Sequence, residues 1–111
     1  RSHWMWYIFP QIAGLGMSYT AQLYAIKDIE EAQQYIAHPV LGARLIEISN
    51  ALLTLDCSDA TAVMGYPDDL KLRSCMTLFA QVSDDPVFDA VLAKFYGGTA
   101  DARTLELLSL T

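Results

Sequence analysis

The chain has 111 residues, 53% of them hydrophobic and 18% charged, which suits one domain and is too apolar for a disordered segment. Thirteen acidic residues against seven scattered basic ones give a formal charge of -6, which argues against a nucleic-acid partner held by clustered cations. The densest apolar run, Trp4 to Phe9, is six residues long, far short of the ~20 needed to cross a bilayer. Neither nucleic acid nor membrane is therefore expected as a partner.

The first residues carry no secretory signal, and the chain opens without Met on Arg1-Ser2-His3-Trp4. An upstream segment is expected to have been cut away, to be unordered, or to be absent from this variant. Ser2 to Gln11 then holds both tryptophans together with Tyr7 and Phe9. On a helix, Trp4 and Trp6 lie about 200° apart, so the segment would be buried on all sides in the middle of the domain. On a strand, Trp4, Trp6 and Ile8 would share one face. The plain reading is a core element, since aromatic side chains bury much area. The sharper one is a pocket for a flat ring, such as a base or nicotinamide, lined by His3 with Trp4 or Trp6.

Gly14-Leu15-Gly16 marks a turn, and Ser18 opens a short helix through Ala25. Asp28 is placed to cap a helix over Ile29 to Ala37 with Ile29, Ala32 and Ile36 inward. Pro39 ends it by disfavouring helical geometry at His38, where an imidazolium would suit the helix C-terminus. Val40 to Leu55 repeats Leu41, Leu45, Ile48, Leu52 and Leu55 at alternating steps of four and three, the stripe of a helix packed on one side. Asp59 opens a short helix that closes at Gly65, and Asp68 to Val82 reads as a long one. Asp85 as N-cap, Pro86 as first helical residue and Gly97 as the left-handed residue frame a helix through Tyr96. Asp101 to Leu110 forms the last. Strand alternation is sparse, so residues 1–111 are expected to form one compact all-α domain of six to seven short helices.

Chemistry-bearing residues are few. Cys57 and Cys75 have no metal-binding or redox spacing and read as reduced thiols of a cytoplasmic protein. Nothing in the spacing of His3, His38, Cys57 and Cys75 suggests zinc, and no metal or other cofactor is expected. Lys71 shares a helical row with Cys75, Leu78 and Val82. Near the positive end of its helix and close to the core, its charged form is disfavoured. It is either a ligand-facing amine or one held by Asp68 at i-3, with Asp69 able to pair with Arg73 at i+4. Ser74, three residues on, makes a Lys-Ser pair that could activate a hydroxyl. Gly14-Leu15-Gly16 and Gly97-Gly98 are not phosphate loops, because no strand precedes them and the Lys-Ser/Thr pair is missing.

Several strings in order along the chain resemble a bacterial family, domain of unknown function 1810. They are Ser-His-Trp-Met-Trp-Tyr-Ile-Phe-Pro-Gln at 2 to 11, Gly-Leu-Gly at 14 to 16 and His-Pro-Val-Leu-Gly at 38 to 42. Pro-Asp-Asp-Leu-Lys-Leu-Arg-Ser-Cys-Met-Thr-Leu-Phe at 67 to 79 and Phe-Tyr-Gly-Gly at 95 to 98 complete the set. The resemblance implies a compact all-helical fold and brings no activity with it. Family members carry a further N-terminal helical segment before the Ser-His-Trp string, so any pocket that helix forms would here be open or filled by a second copy. Cys75 stands where relatives usually have Ser, which weighs against a catalytic thiol.

The leading expectation is a non-enzymatic domain that binds a small molecule or a protein partner through some of His3, Trp4, Trp6, Gln11, Lys71 and Ser74. A homodimer is a further expectation, because loss of a terminal helix would expose apolar surface around the tryptophans. The alternative is a small enzyme acting on a nucleotide or related metabolite. There His3 would be the acid or base, Lys71 the anion contact, and Gln11 or Ser74 an orienting group converging on one pocket.

Overall fold

A computed structural model of the chain describes residues 8–15 and 19–110. Seven helices run through these residues: α1 (Tyr19–Tyr24), α2 (Ile29–Ala37), α3 (Leu41–Leu53), α4 (Ala60–Met64), α5 (Asp68–Val82), α6 (Val87–Tyr96) and α7 (Ala102–Leu108). Extended pairing among the described residues is confined to one parallel bridge between Ile12 and Ile26. There the Ala13 N–H donates to Ile26 O at 2.7 Å and the Ile26 N–H to Gln11 O at 2.8 Å. The fold is all-α, as the periodicity of the sequence requires.

Helix starts follow local chemistry. Asp28 accepts from the Glu31 N–H at 2.8 Å, and Asp59 accepts from the N–H groups of Thr61 and Ala62. Asp85 accepts from the Val87 N–H at 2.9 Å with Pro86 between them, and Asp101 accepts from the Thr104 N–H at 2.9 Å. Each carboxylate satisfies an N–H that has no acceptor inside its own helix and sits at the positive end of the dipole. Helix α6 stops at Gly97, whose φ of 62° is left-handed, and the Gly98 N–H donates back to Leu92 O at 2.9 Å.

Helix α5 is the centre of the domain and packs against α2, α4, α6 and α7. Residues 74–79 are buried without a break, so this helix is covered on all sides rather than along one stripe. Leu72, Met76, Leu78 and Phe79 meet Phe88 and Val91 of α6 in the core, and burying each such side chain stabilises the fold by roughly 1.5–3 kcal/mol. The ring of Phe79 lies 5.8 Å from that of Phe88 and 5.6 Å from that of Tyr35 of α2. A centrally buried helix must also satisfy its polar side chains. Thr77 Oγ1 accepts from the Asp101 N–H at 2.8 Å, which ties α7 to α5.

Four local expectations are corrected. Ile29 is 38% exposed rather than inward, because it is the first residue of α2 and lies with Glu30 on the exposed side of the helix start. Leu41 and Leu55 leave the apolar stripe of α3, each 41% exposed. Leu41 is the first residue of α3 and Leu55 lies beyond its end at Leu53. The His38 side chain serves the start of α3 rather than the end of α2. Its Nδ1 accepts from the N–H groups of Val40 and Leu41, so that nitrogen presents a lone pair to the start of α3. Asp69 and Arg73 form no ion pair, since each is taken by a different element. Asp69 Oδ2 accepts from Thr61 Oγ1 at 2.6 Å, and Arg73 Nε donates to Thr99 O at 2.9 Å with its guanidinium 5.7 Å from the Tyr96 ring centre. The C-terminus of α3 is held by a residue the sequence did not single out. Lys94 of α6 donates to Leu52 O at 3.1 Å, to Leu53 O at 3.0 Å and to Leu55 O, the placement a cation favours at a helix C-terminus.

Candidate functional site

Of the six residues singled out in the sequence, His3, Trp4 and Trp6 lie outside the described residues. Gln11 is buried in the segment that pairs with Ile26, its side-chain amide donating to Phe9 O at 3.4 Å. Lys71 and Ser74 share α5. The Lys71 ammonium stands 3.8 Å from Asp68 Oδ1, as the i-3 spacing anticipates. The Ser74 hydroxyl is buried, 3.1 Å from Leu70 O and 3.2 Å from Asp101 Oδ2.

The Ser74 hydroxyl therefore belongs to a structural network. Asp101 Oδ2 accepts from Ser74 Oγ, the Thr104 N–H at 2.9 Å and Thr104 Oγ1 at 2.5 Å. One carboxylate thus caps α7 and binds it to α5. A second network holds the start of α5. Beyond its contact with Thr61, Asp69 offers its backbone oxygen to the Tyr96 hydroxyl at 2.5 Å. Burial, then the nearby Asp69 carboxylate, drive the Tyr96 hydroxyl far above its ordinary value, with Arg73 opposing, so the phenol stays a donor. The Cys75 thiol is fully buried, and burial raises it well above its ordinary 9.0. A buried neutral thiol is a poor nucleophile. No group of three or more His, Cys, Asp or Glu side chains among the described residues is arranged to hold a metal ion.

Among the described residues, an opening with the chemistry of a binding site lies elsewhere, between α2 and α3. It is a groove of about 370 Å³, whose apolar lining comes from Ile8, Leu41, Leu45 and Ile48 together with Tyr35. Arg44 and Glu47 of α3 supply its charges. Spacing on α3 explains the mixture. Leu41, Arg44, Leu45 and Ile48 recur at steps of three, one and three, which places all four on one side of a helix. Gly42 brings the second wall close. A Cβ at that position would lie 2.0 Å from Ile36 O, so only glycine lets the start of α3 pass the end of α2 at this distance.

The groove's polar groups are not consumed by the fold. Arg44 has no ion pair or hydrogen bond among the described residues, whose two ion pairs are Lys71–Asp68 and Arg103–Glu106. The Tyr35 hydroxyl likewise has no hydrogen-bond partner among them. Burial, and then the Cys75 thiol, raise it above its ordinary 10.0, so at neutral pH it is a proton donor. The sequence reading passed over both residues. Arg44 is one of seven basic residues scattered along the sequence, and only the seating of α2 against α3 makes it the edge of a groove.

A family model described as "Protein of unknown function (DUF1810)" matches residues 1–108. The crystal structure of the conserved hypothetical protein Rv1873 from Mycobacterium tuberculosis is similar in fold and sequence, with a TM-score of 0.95 and 48% identity. That similarity covers 100% of this chain and 80% of that one. No curated protein matches the chain. None of the described helices is long and apolar enough to cross a membrane.

Proposed function

We propose that this chain, which belongs to the DUF1810 family, is a non-enzymatic binding domain whose ligand is a small molecule seated in the groove between α2 and α3. The observation that carries this reading is the combination of an apolar lining, to which Tyr35 contributes, with the guanidinium of Arg44, uncommitted among the described residues, in one opening. Small-molecule sites commonly have this make-up, mostly apolar with a few polar groups that fix orientation. The volume, about 370 Å³, falls at the small end of the roughly 300–1,000 Å³ range of such sites. It suits a compact molecule better than a protein segment. A cytoplasmic setting fits two cysteines that are both free, since cysteines of secreted proteins are usually paired.

A thermal-shift panel of nucleotides, sugar phosphates, short-chain and aromatic carboxylates, amines and alcohols tests the reading. A ligand at ~100 times its dissociation constant adds roughly 2.7 kcal/mol to stability, a shift of about 10 °C or more in a domain of this size. The expected result is a stabilising compound whose effect disappears in Leu41→Glu. That change adds an acid at the first turn of α3, where the helix dipole favours one, and spoils the apolar lining. A hit that survives Leu41→Glu but is lost in Lys71→Ala would move the site to the start of α5. A flat response across the panel would end the small-molecule reading.

A further inference from the structure

Resting on the groove reading above, we propose that the ligand is a small amphipathic monocarboxylate, with its carboxylate on Arg44 and its ring or short acyl chain on Leu41, Leu45 and Ile48. Three features of the groove converge on that class.

The first is charge. Arg44 is the groove's one cation among its described lining residues, and a guanidinium presents paired N–H donors that match the two oxygens of a carboxylate. The second is selectivity. Glu47 lies three residues further along α3 and lines the same opening. A second anionic group on the ligand would meet that carboxylate and the field of a chain whose formal charge is -6. Dicarboxylates and multiply charged phosphates are therefore disfavoured. The third is the lining. Ile8, Leu41, Leu45 and Ile48 offer no hydrogen bond to a sugar or a base, so seating one there would strip its polar groups of water without replacement. They do accept an alkyl chain or a plain ring.

Isothermal titration with four eight-carbon probes tests the class: octanoate, octanol, octylamine and the dicarboxylate octanedioate. Octanoate should bind at least 10-fold more tightly than each of the others. Arg44→Gln should weaken octanoate at least 10-fold, about 1.4 kcal/mol, and leave octanol unchanged, with circular dichroism showing the variant folded. Equal affinities for octanoate and octanol, or an Arg44→Gln variant that binds octanoate as well as the parent, would overturn the carboxylate assignment. If Leu41→Glu abolished both probes in that case, the groove itself would stand. Tightest binding of octylamine would overturn the assignment in favour of a cation drawn to Glu47. No heat with any probe would also overturn it, while a panel compound sensitive to Leu41→Glu would still uphold the groove as a site.

Discussion

The imidazole Nδ1 of His38 accepts hydrogen bonds from the backbone N–H groups of both Val40 and Leu41, each at 3.1 Å, so the residue that closes α2 also opens α3. This junction carries one wall of the groove against the other. His38→Ala leaves two N–H groups at the start of α3 without their acceptor and should cost about 0.5–2 kcal/mol, the usual value of an N-cap. His38→Asn, which keeps a side-chain acceptor, should recover most of it. Urea unfolding of the three proteins provides the comparison.

The same junction depends on Gly42. Placing Ala in a helix is normally favourable by about 1 kcal/mol over Gly. Here the added methyl would stand 2.0 Å from Ile36 O, a backbone atom that cannot rotate away. Overpacking should win, with Gly42→Ala less stable by at least about 1–3 kcal/mol. Gly97 offers the contrast. Nothing lies within 4 Å of a Cβ there, but φ is +62°, so Gly97→Ala should cost about 1–2 kcal/mol through backbone conformation alone. Gly97→Asn should cost less, since Asn visits that region more readily. Denaturant titrations distinguish the two mechanisms, because only the Gly42 change should also weaken ligand binding in the groove.

Asp101 caps α7 and at the same time receives the hydroxyls of Ser74 and Thr104. Asp101→Ala removes the cap and leaves a buried part of the α5–α7 contact without its acceptor. A loss of about 2–3 kcal/mol is expected from the two effects together. Ser74→Ala removes a donor instead and leaves Asp101 its bonds to Thr104, so it should cost less, about 1 kcal/mol. Ser74→Ala should also leave ligand binding unchanged, because its hydroxyl serves the fold.

The two cysteines should behave differently towards a thiol reagent. Cys57 is exposed and Cys75 buried, so the folded protein should titrate one thiol and the denatured protein two. Stability should also fall on the alkaline side. Burial holds the Cys75 thiol above its ordinary 9.0 and the Tyr35 hydroxyl above its ordinary 10.0. The folded chain keeps protons that the unfolded chain releases. The stabilisation from these groups is thus complete below the unfolded values and is lost as the pH climbs through the folded ones. Thermal midpoints should hold steady up to about pH 8 and decline beyond about pH 9, with the onset later in Cys75→Ala. A decline with the same onset in that variant would assign it to other groups.

What was legible in the sequence is what local chemistry decides. Asp28, Asp59, Asp85 and Asp101 each cap a helix because a short carboxylate reaches N–H groups two or three residues ahead. Gly97 ends α6 for an equally local reason. The long-range partners were not legible. Ser74 looks like half of a Lys-Ser pair until α7 brings Asp101 to it across 27 residues of sequence. Lys94 looks like a surface charge until α6 lays it against the end of α3. Arg44 and Tyr35 became site residues only through the packing of α2 on α3, which turns on Gly42 and the atoms it avoids. Periodicity carries one helix face at a time, whereas a groove needs two.

The most direct test of the groove as a binding site is a ¹⁵N-resolved NMR titration of the folded chain with octanoate. Backbone amides of Leu41, Arg44, Leu45 and Ile48, with Tyr35 across from them, should shift together and saturate with one affinity, while those of Asp68, Lys71 and Ser74 stay still. Shifts gathered around Asp68 and Lys71 would contradict the assignment of this groove as the site, and none at all up to millimolar octanoate would contradict the carboxylate as its ligand.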